Sequence, residues 1–329
     1  MSVQLHHLNA DNAWLLTFSN SQRLSPEDTT LTLLIDPWLD GPEIDLHPWF
    51  NTQHHSPAKP PQFQEFPSLT EFLSSDSDPR KAVDAILITF PNSDHLHKAT
   101  IDTVGPEVAF FAFPLAAEKL KSWGRKYVYE IPKEPNSLAI LDNLLEAETR
   151  MQRKGPSRKA FFESLDIRLS YISTGPSSSL DDYTRGALAL SFIKAGEERG
   201  ALVYQPHTTP FDNIKDWKIR EESGGKKVDV FAFIAGWDIV RLPRLLGGPV
   251  VCTGSTAGNA QIAQELSPRY WLRTHDEETI MTGLVGWFQK RDVWSKERIE
   301  NELEGVNTKF LDMEVGETLT MPMMIPSAA

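Results

Sequence analysis

Four short apolar runs in this chain each lead, within a few residues, to an aspartate or a histidine. The run "LTLLI" (31–35) meets Asp36, "DAILI" (84–88) leads to Asp94 and His95, "ALVYQ" (201–205) to His207, and "RYWL" (269–272) to His275. Runs of this length, bounded by Gly, Pro, Asp or Ser, read as buried strands. In open sheets the strand ends are where sites gather. Imidazole and carboxylate together are the ligand set of Zn(II) and similar borderline metals. The chain must therefore fold so that the ends of strands far apart in sequence meet. Each residue also has a plainer reading: Asp94 as the N-cap of a following helix, His95 as a core histidine bonded to a backbone carbonyl, His207 as a turn residue, and His275 as a partner of Asp276 or Glu277.

Further strand candidates are 13–18, 108–113, 127–131, 166–172, 187–193, 228–234 and 249–252. Helices are expected at 97–104, 114–122, 137–153, 240–246, 257–265, 277–289 and 295–303. Strands dominate the first half and alternate with helices later, which suggests two packed sheets with helices outside. Residues 51–80, rich in Pro and Ser, read as a loop inserted across a surface, because strand-like runs continue on both sides. Residues 290–329 read as a C-terminal extension whose amphipathic stretch "DVWSKERIENELEGV" is expected to pack on its own domain, the alternative being a second subunit. The reading is one domain over 1–329.

The ordered set "LLIDPWLDG" (33–41), "TFPNSDHLHKATI" (89–101), "GALVYQPHTT" (200–209) and "YWLRTHDE" (270–277) resembles the metallo-β-lactamase superfamily, in the branch that reads Asp-His-Leu in its second motif. The resemblance spans roughly residues 3 to 290. It implies an α/β fold, an αββα four-layer sandwich with a metal site between the sheets. It also implies that Asp36 braces the second-motif loop. The pattern departs from the family at one half of the site. Phe90 and Asn92 stand where two metal-binding histidines are usual, and "STGPSSSLDDY" (173–183), the counterpart of the third motif, has no histidine. The resemblance therefore implies at most one metal, a zinc held by Asp94, His95, His207 and His275, with Asp94 and His207 as catalytic candidates. His207 takes the place of the usual bridging aspartate. Trp38, Trp49 and Phe50, on the loop after the first motif, are expected to line a largely apolar substrate pocket together with Phe90 and Asn92; for Trp38 and Phe90 the alternative is simple core filling. His97 is expected at the surface, and His6, His7, His47, His54 and His55 in loops or at edges, without a role.

The net charge of −12 and pI near 5.3 disfavour nucleic acid and an anionic membrane surface as partners. The lone cysteine, Cys252, forms no disulfide framework. The N-terminal stretch lacks the pattern of a signal peptide, and no run reaches the length of a membrane span. The expectation is a cytoplasmic protein with a small-molecule substrate and an open oligomeric state. Two functions fit. One is a hydrolase with a single metal ion acting on a small, largely apolar organic substrate. The other is a metal-free relative that binds a hydrophobic molecule and promotes its rearrangement or cyclisation.

Overall fold

The computed structural model describes residues 2–21, 29–75, 82–151, 156–173, 185–194, 199–223, 225, 227–241, 243, 256–276 and 279–322. Two seven-stranded sheets organise them. The first has the order β19 (Thr318–Pro322), β1 (Ser2–His7), β2 (Trp14–Ser19), β3 (Thr30–Ile35), β6 (Ala85–Ile88), β7 (Ala109–Ala112), β8 (Val128–Glu130). The second has the order β18 (Lys309–Leu311), β15 (Tyr270–Leu272), β13 (Val228–Ala235), β12 (Arg199–Gln205), β11 (Ala187–Lys194), β10 (Leu165–Ile172), β9 (Leu138–Ala139). A three-stranded sheet of β16 (Ile280–Thr282), β5 (Asn51–His54) and β4 (Glu43–Asp45) lies apart, and β14 (Ile239–Arg241) pairs with β17 (Lys290–Asp292).

The layers follow from the two-residue period of the strands. Leu33 and Ile35 of β3 enter the core between the sheets, where they join Leu188, Leu190, Leu202 and Tyr204 of the facing sheet. Leu34, between them, turns outward with Ile86 and Phe110 onto helices α1 (Phe66–Ser74), α2 (Lys98–Asp102) and α3 (Pro114–Ser122). On the far side Ala201, Val203, Phe233 and Trp271 carry α6 (Phe211–Glu221), α7 (Thr256–Leu266) and α9 (Lys296–Glu302). Helices α4 (Leu141–Arg150) and α5 (Pro156–Glu163) add Leu144, Phe161 and Phe162 to the central core. The architecture is the αββα sandwich. No helix among the described residues is long and apolar enough to cross a membrane.

Several elements differ from the sequence reading. The stretch 51–80, expected as a loop, contains β5 and α1, whose Leu69 and Leu73 are buried. The helix expected at 240–246 is a strand at 239–241, and its remainder, like the expected strand 249–252, lies almost wholly outside the described residues. The expected helix 277–289 divides into β16 and a short α8 (Leu284–Phe288), because Gly283 sits at φ 90°. The helix expected at 137–153 opens with β9. The C-terminal stretch does more than append a helix: β18 completes the second sheet and β19 the first.

Candidate metal centre

Asp94 and His95 follow β6 of the first sheet, while His207 follows β12 and His275 follows β15 of the second. The sandwich brings them together. One donor atom from each of Asp94, His95, His207 and His275 lies within 4.8 Å of the other three. The Nε2 atoms of His95 and His207 are 2.9 Å apart. Asp94 Oδ2 lies 3.6 Å from His95 Nε2 and 3.5 Å from His275 Nε2. Asp94 does not cap α2, whose N-cap is His97.

Two carboxylates behind the cluster fix the ring orientations. His95 Nδ1 donates to Asp36 Oδ2 at 2.8 Å, which turns Nε2 toward the centre. The same Asp36 oxygen accepts from Thr89 Oγ1 (2.5 Å) and Tyr204 Oη (2.9 Å), while Oδ1 accepts from the Thr89 amide (2.8 Å). Asp36 is thus saturated as a brace. On the other flank His275 Nδ1 donates to Asp11 Oδ1 at 2.5 Å. Asp11 is held in the β1–β2 turn by a bond from Thr274 Oγ1 to its carbonyl, and Trp14 Nε1 donates to that hydroxyl. Carboxylate–histidine pairs of this kind set the tautomer and basicity of metal ligands. Asp36 and His275 both adopt positive φ, 41° and 60°, a region other residues avoid unless surrounding structure enforces it.

The electrostatics follow from burial. Burial alone would lower His275, but Asp11 and Asp94 outweigh it and raise its pKa to about 9. His95 is raised in the same way, by Asp94 and Asp36 against burial. Burial raises Asp94, with His95 and His275 opposing. Without an ion the cluster holds protons that a cation would displace. The donor set passes the test of fit for one such ion. The 2.9, 3.5 and 3.6 Å pairs fall within the span open to ligands about 2.0–2.2 Å from a common centre. The wider separations, up to 4.8 Å, need a small contraction, and buried Asp94 Oδ1 has no hydrogen-bond partner.

Phe90 is fully buried, with its ring centroid 5.2 Å from that of His95 and 4.8 Å from that of His207. Trp38 is also fully buried, lying 3.9 Å from the ring of His55. The full burial of these two fits core filling, the second of the two readings given for them. Trp49 is exposed on the β4–β5 turn, beside half-buried Phe50. Asn92 is half-buried, and its carbonyl accepts from the amides of His95 and Leu96. His97 is buried rather than superficial, with Nδ1 at 2.9 Å from Thr100 Oγ1. His6 and His7 are buried in β1, not in a loop, and His7 stacks on Trp14. Most of the third-motif stretch, 174–183, lies outside the described residues. The sequence reading missed Asp11; its only signal was an acid in the tight "NADNA" turn between two strands.

No protein-family model matches the chain, and no curated protein matches it in sequence. Solved structures do match. A possible metal-dependent hydrolase from Veillonella parvula has a TM-score of 0.57 at 18% identity, covering 98% of this chain and 100% of its own. Isothiocyanate hydrolase from Delia radicum gut bacteria gives 0.55 at 15%, with 96% and 98% covered. Igni18, a metallo hydrolase from the archaeon Ignicoccus hospitalis, gives 0.53 at 13%, with 98% and 99% covered.

Proposed function

We propose that this chain, which has the metallo-β-lactamase fold, is a hydrolase that uses one zinc ion to act on a small, uncharged and largely apolar organic substrate. One observation carries the reading: three imidazoles and a carboxylate from both sheets converge within 4.8 Å, and Asp36 and Asp11 orient two of the rings behind them. Asp94, His95, His207 and His275 would hold the ion. Bound there, zinc supplies Lewis acidity and lowers the pKa of water.

The chain's own residues do the rest. Asp36 and Asp11 keep the Nδ1 atoms of His95 and His275 protonated, so that Nε2 presents its lone pair. Asp94 Oδ1, buried and without a hydrogen-bond partner, is placed to accept the proton of an attacking water. Phe90 occupies the flank where a second ion would need a donor, and phenyl carbon offers none. The substrate class follows from the field. Asp11 and Asp45 set negative charge beside Asp94, while burial together with Asp94 and Asp45 pushes Glu43 up to about 10 and keeps it neutral, so the two aspartates are what an anionic substrate meets. The likeness to an isothiocyanate hydrolase and to metallo hydrolases supports hydrolysis as the reaction type.

The test is elemental analysis of protein purified without chelator, paired with turnover of aryl esters, lactones and isothiocyanates. About one zinc per chain is expected, with hydrolysis that chelation abolishes. Asp94→Ala should lose both metal and activity. A parent free of metal, or an Asp94→Ala variant as active as the parent, defeats the reading.

A further inference from the structure

Eight large hydrophobic residues are exposed among the described residues, and six of them belong to one small substructure. Ile44 lies in β4, Leu46 and Trp49 in the turn into β5, Ile280 in β16, and Trp287 and Phe288 on α8. The substructure is rigid. Ile44 pairs with Thr52, which pairs with Thr282, two residues from Ile280, so both isoleucines point from one face of the sheet. The amides of Leu284 and Val285, at the start of α8, donate to the carbonyls of Trp49 and Phe50 at 3.0 Å. Gly283 permits this approach, since a Cβ there would lie 2.8 Å from the Phe50 carbonyl oxygen. The tryptophans are therefore fixed on a platform, with Leu46 89%, Trp287 83% and Trp49 64% exposed.

We infer that this platform is the contact face of a homodimer, a second copy presenting the same six side chains across a two-fold axis. Area supports a protein occupant. With a buried aromatic accounting for ~150–250 Å², the six exposures amount to roughly 700–800 Å², against ~800 Å² per partner in a standard stable interface. Typical monomers expose largest patches of about 300–600 Å². Composition supports a copy of the same chain: aromatic, Leu and Ile side chains complement themselves, and a net charge of −12 disfavours an anionic bilayer. The interface reaches the metal centre. Glu43 and Asp45, on the opposite face of β4, accept hydrogen bonds from Ser93 beside Asp94, and β16 follows closely after His275.

Sedimentation of the full chain from sub-micromolar to tens of micromolar tests this. The parent should sediment as a dimer. Trp287→Glu and Leu46→Glu should each weaken association by at least ~10-fold and keep the parent's circular dichroism, because both positions face solvent. Ile219→Glu, exposed on α6, should leave the dimer intact. Hydrogen exchange at 44–50 and 280–288 should slow as the parent's concentration rises, which needs no substitution. A parent that stays monomeric overturns the inference, as does a dimer that both platform variants leave unchanged. A monomeric parent that floats with phosphatidylcholine vesicles, and loses this on Trp287→Glu, assigns the platform to lipid and equally overturns it.

Discussion

Asp11 never reaches the centre of the cluster, yet it decides which nitrogen of His275 faces inward. In Asp11→Asn the amide keeps the contact but not the charge. Zinc affinity should fall ~10–100-fold by competition with a chromophoric chelator, with little change in fold. The raised histidines give a second prediction. Asp11 and Asp94, outweighing burial, push His275 up to about 9 in the folded metal-free protein, against the 6.5 of a free imidazole. The folded state thus binds more protons than the unfolded state between these values. The resulting stability is fully present below pH 6.5 and is lost as pH rises through 9, on the order of 3 kcal/mol in all. Urea melts of zinc-free protein at pH 6 and pH 9.5 should show this fall, and zinc should reverse it by taking the protons' place. The four residues of the candidate centre were readable in sequence because each follows an apolar run. Asp11 was not, since an acid in a tight turn looks the same whether it caps the turn or steers a ring. His97 was not either: alternation from Asp94 and His95 placed it outside, but the chain has left the strand and buries it under the Trp38 loop.

At the scale of elements, β12 shows how one residue type shapes the path to His207. Gly200 pairs with Phe192 on β11, and the phenyl ring lies over the bare backbone, in the space a Cβ would need. Gly200→Ala should push Phe192 off its seat in the central core and cost about 1–3 kcal/mol, measured by urea denaturation, with zinc stoichiometry retained. Strands such as β3, β12 and β13 could be read because each holds an apolar run and is buried on both faces over most of its length. The elements that escaped reading carry weaker signals. Helix α6 buries only Ile214 and Trp217 in an otherwise charged run, and α1 sits in a stretch whose Pro and Ser content argues for a loop. The three-residue strands β14, β16, β17 and β18 are too short for any period to show, and pairing alone makes them strands.

At the scale of the molecule, the proposed ion joins sheets whose strands lie far apart in sequence, and free zinc at 100 times its Kd should add about 2.7 kcal/mol to stability. Scanning calorimetry with and without zinc reads this as a rise in Tm. The two sheets also share a dependence on the chain's last strands. β18 completes the second and β19 lies against β1, a strand from the opposite end of the described residues. Truncation after residue 306 removes both and should abolish cooperative unfolding, checked by thermal melts and by limited proteolysis. During synthesis β1 emerges with its outer edge bare, and Thr318–Pro322, which covers it, is translated some three hundred residues later. Ribosomes add roughly 5–20 residues per second, so for tens of seconds a nascent chain displays an unpaired strand edge, open to any passing segment of the same kind. A polypeptide built this way meets that hazard before the residues of the candidate metal centre, drawn from both sheets, have all left the ribosome.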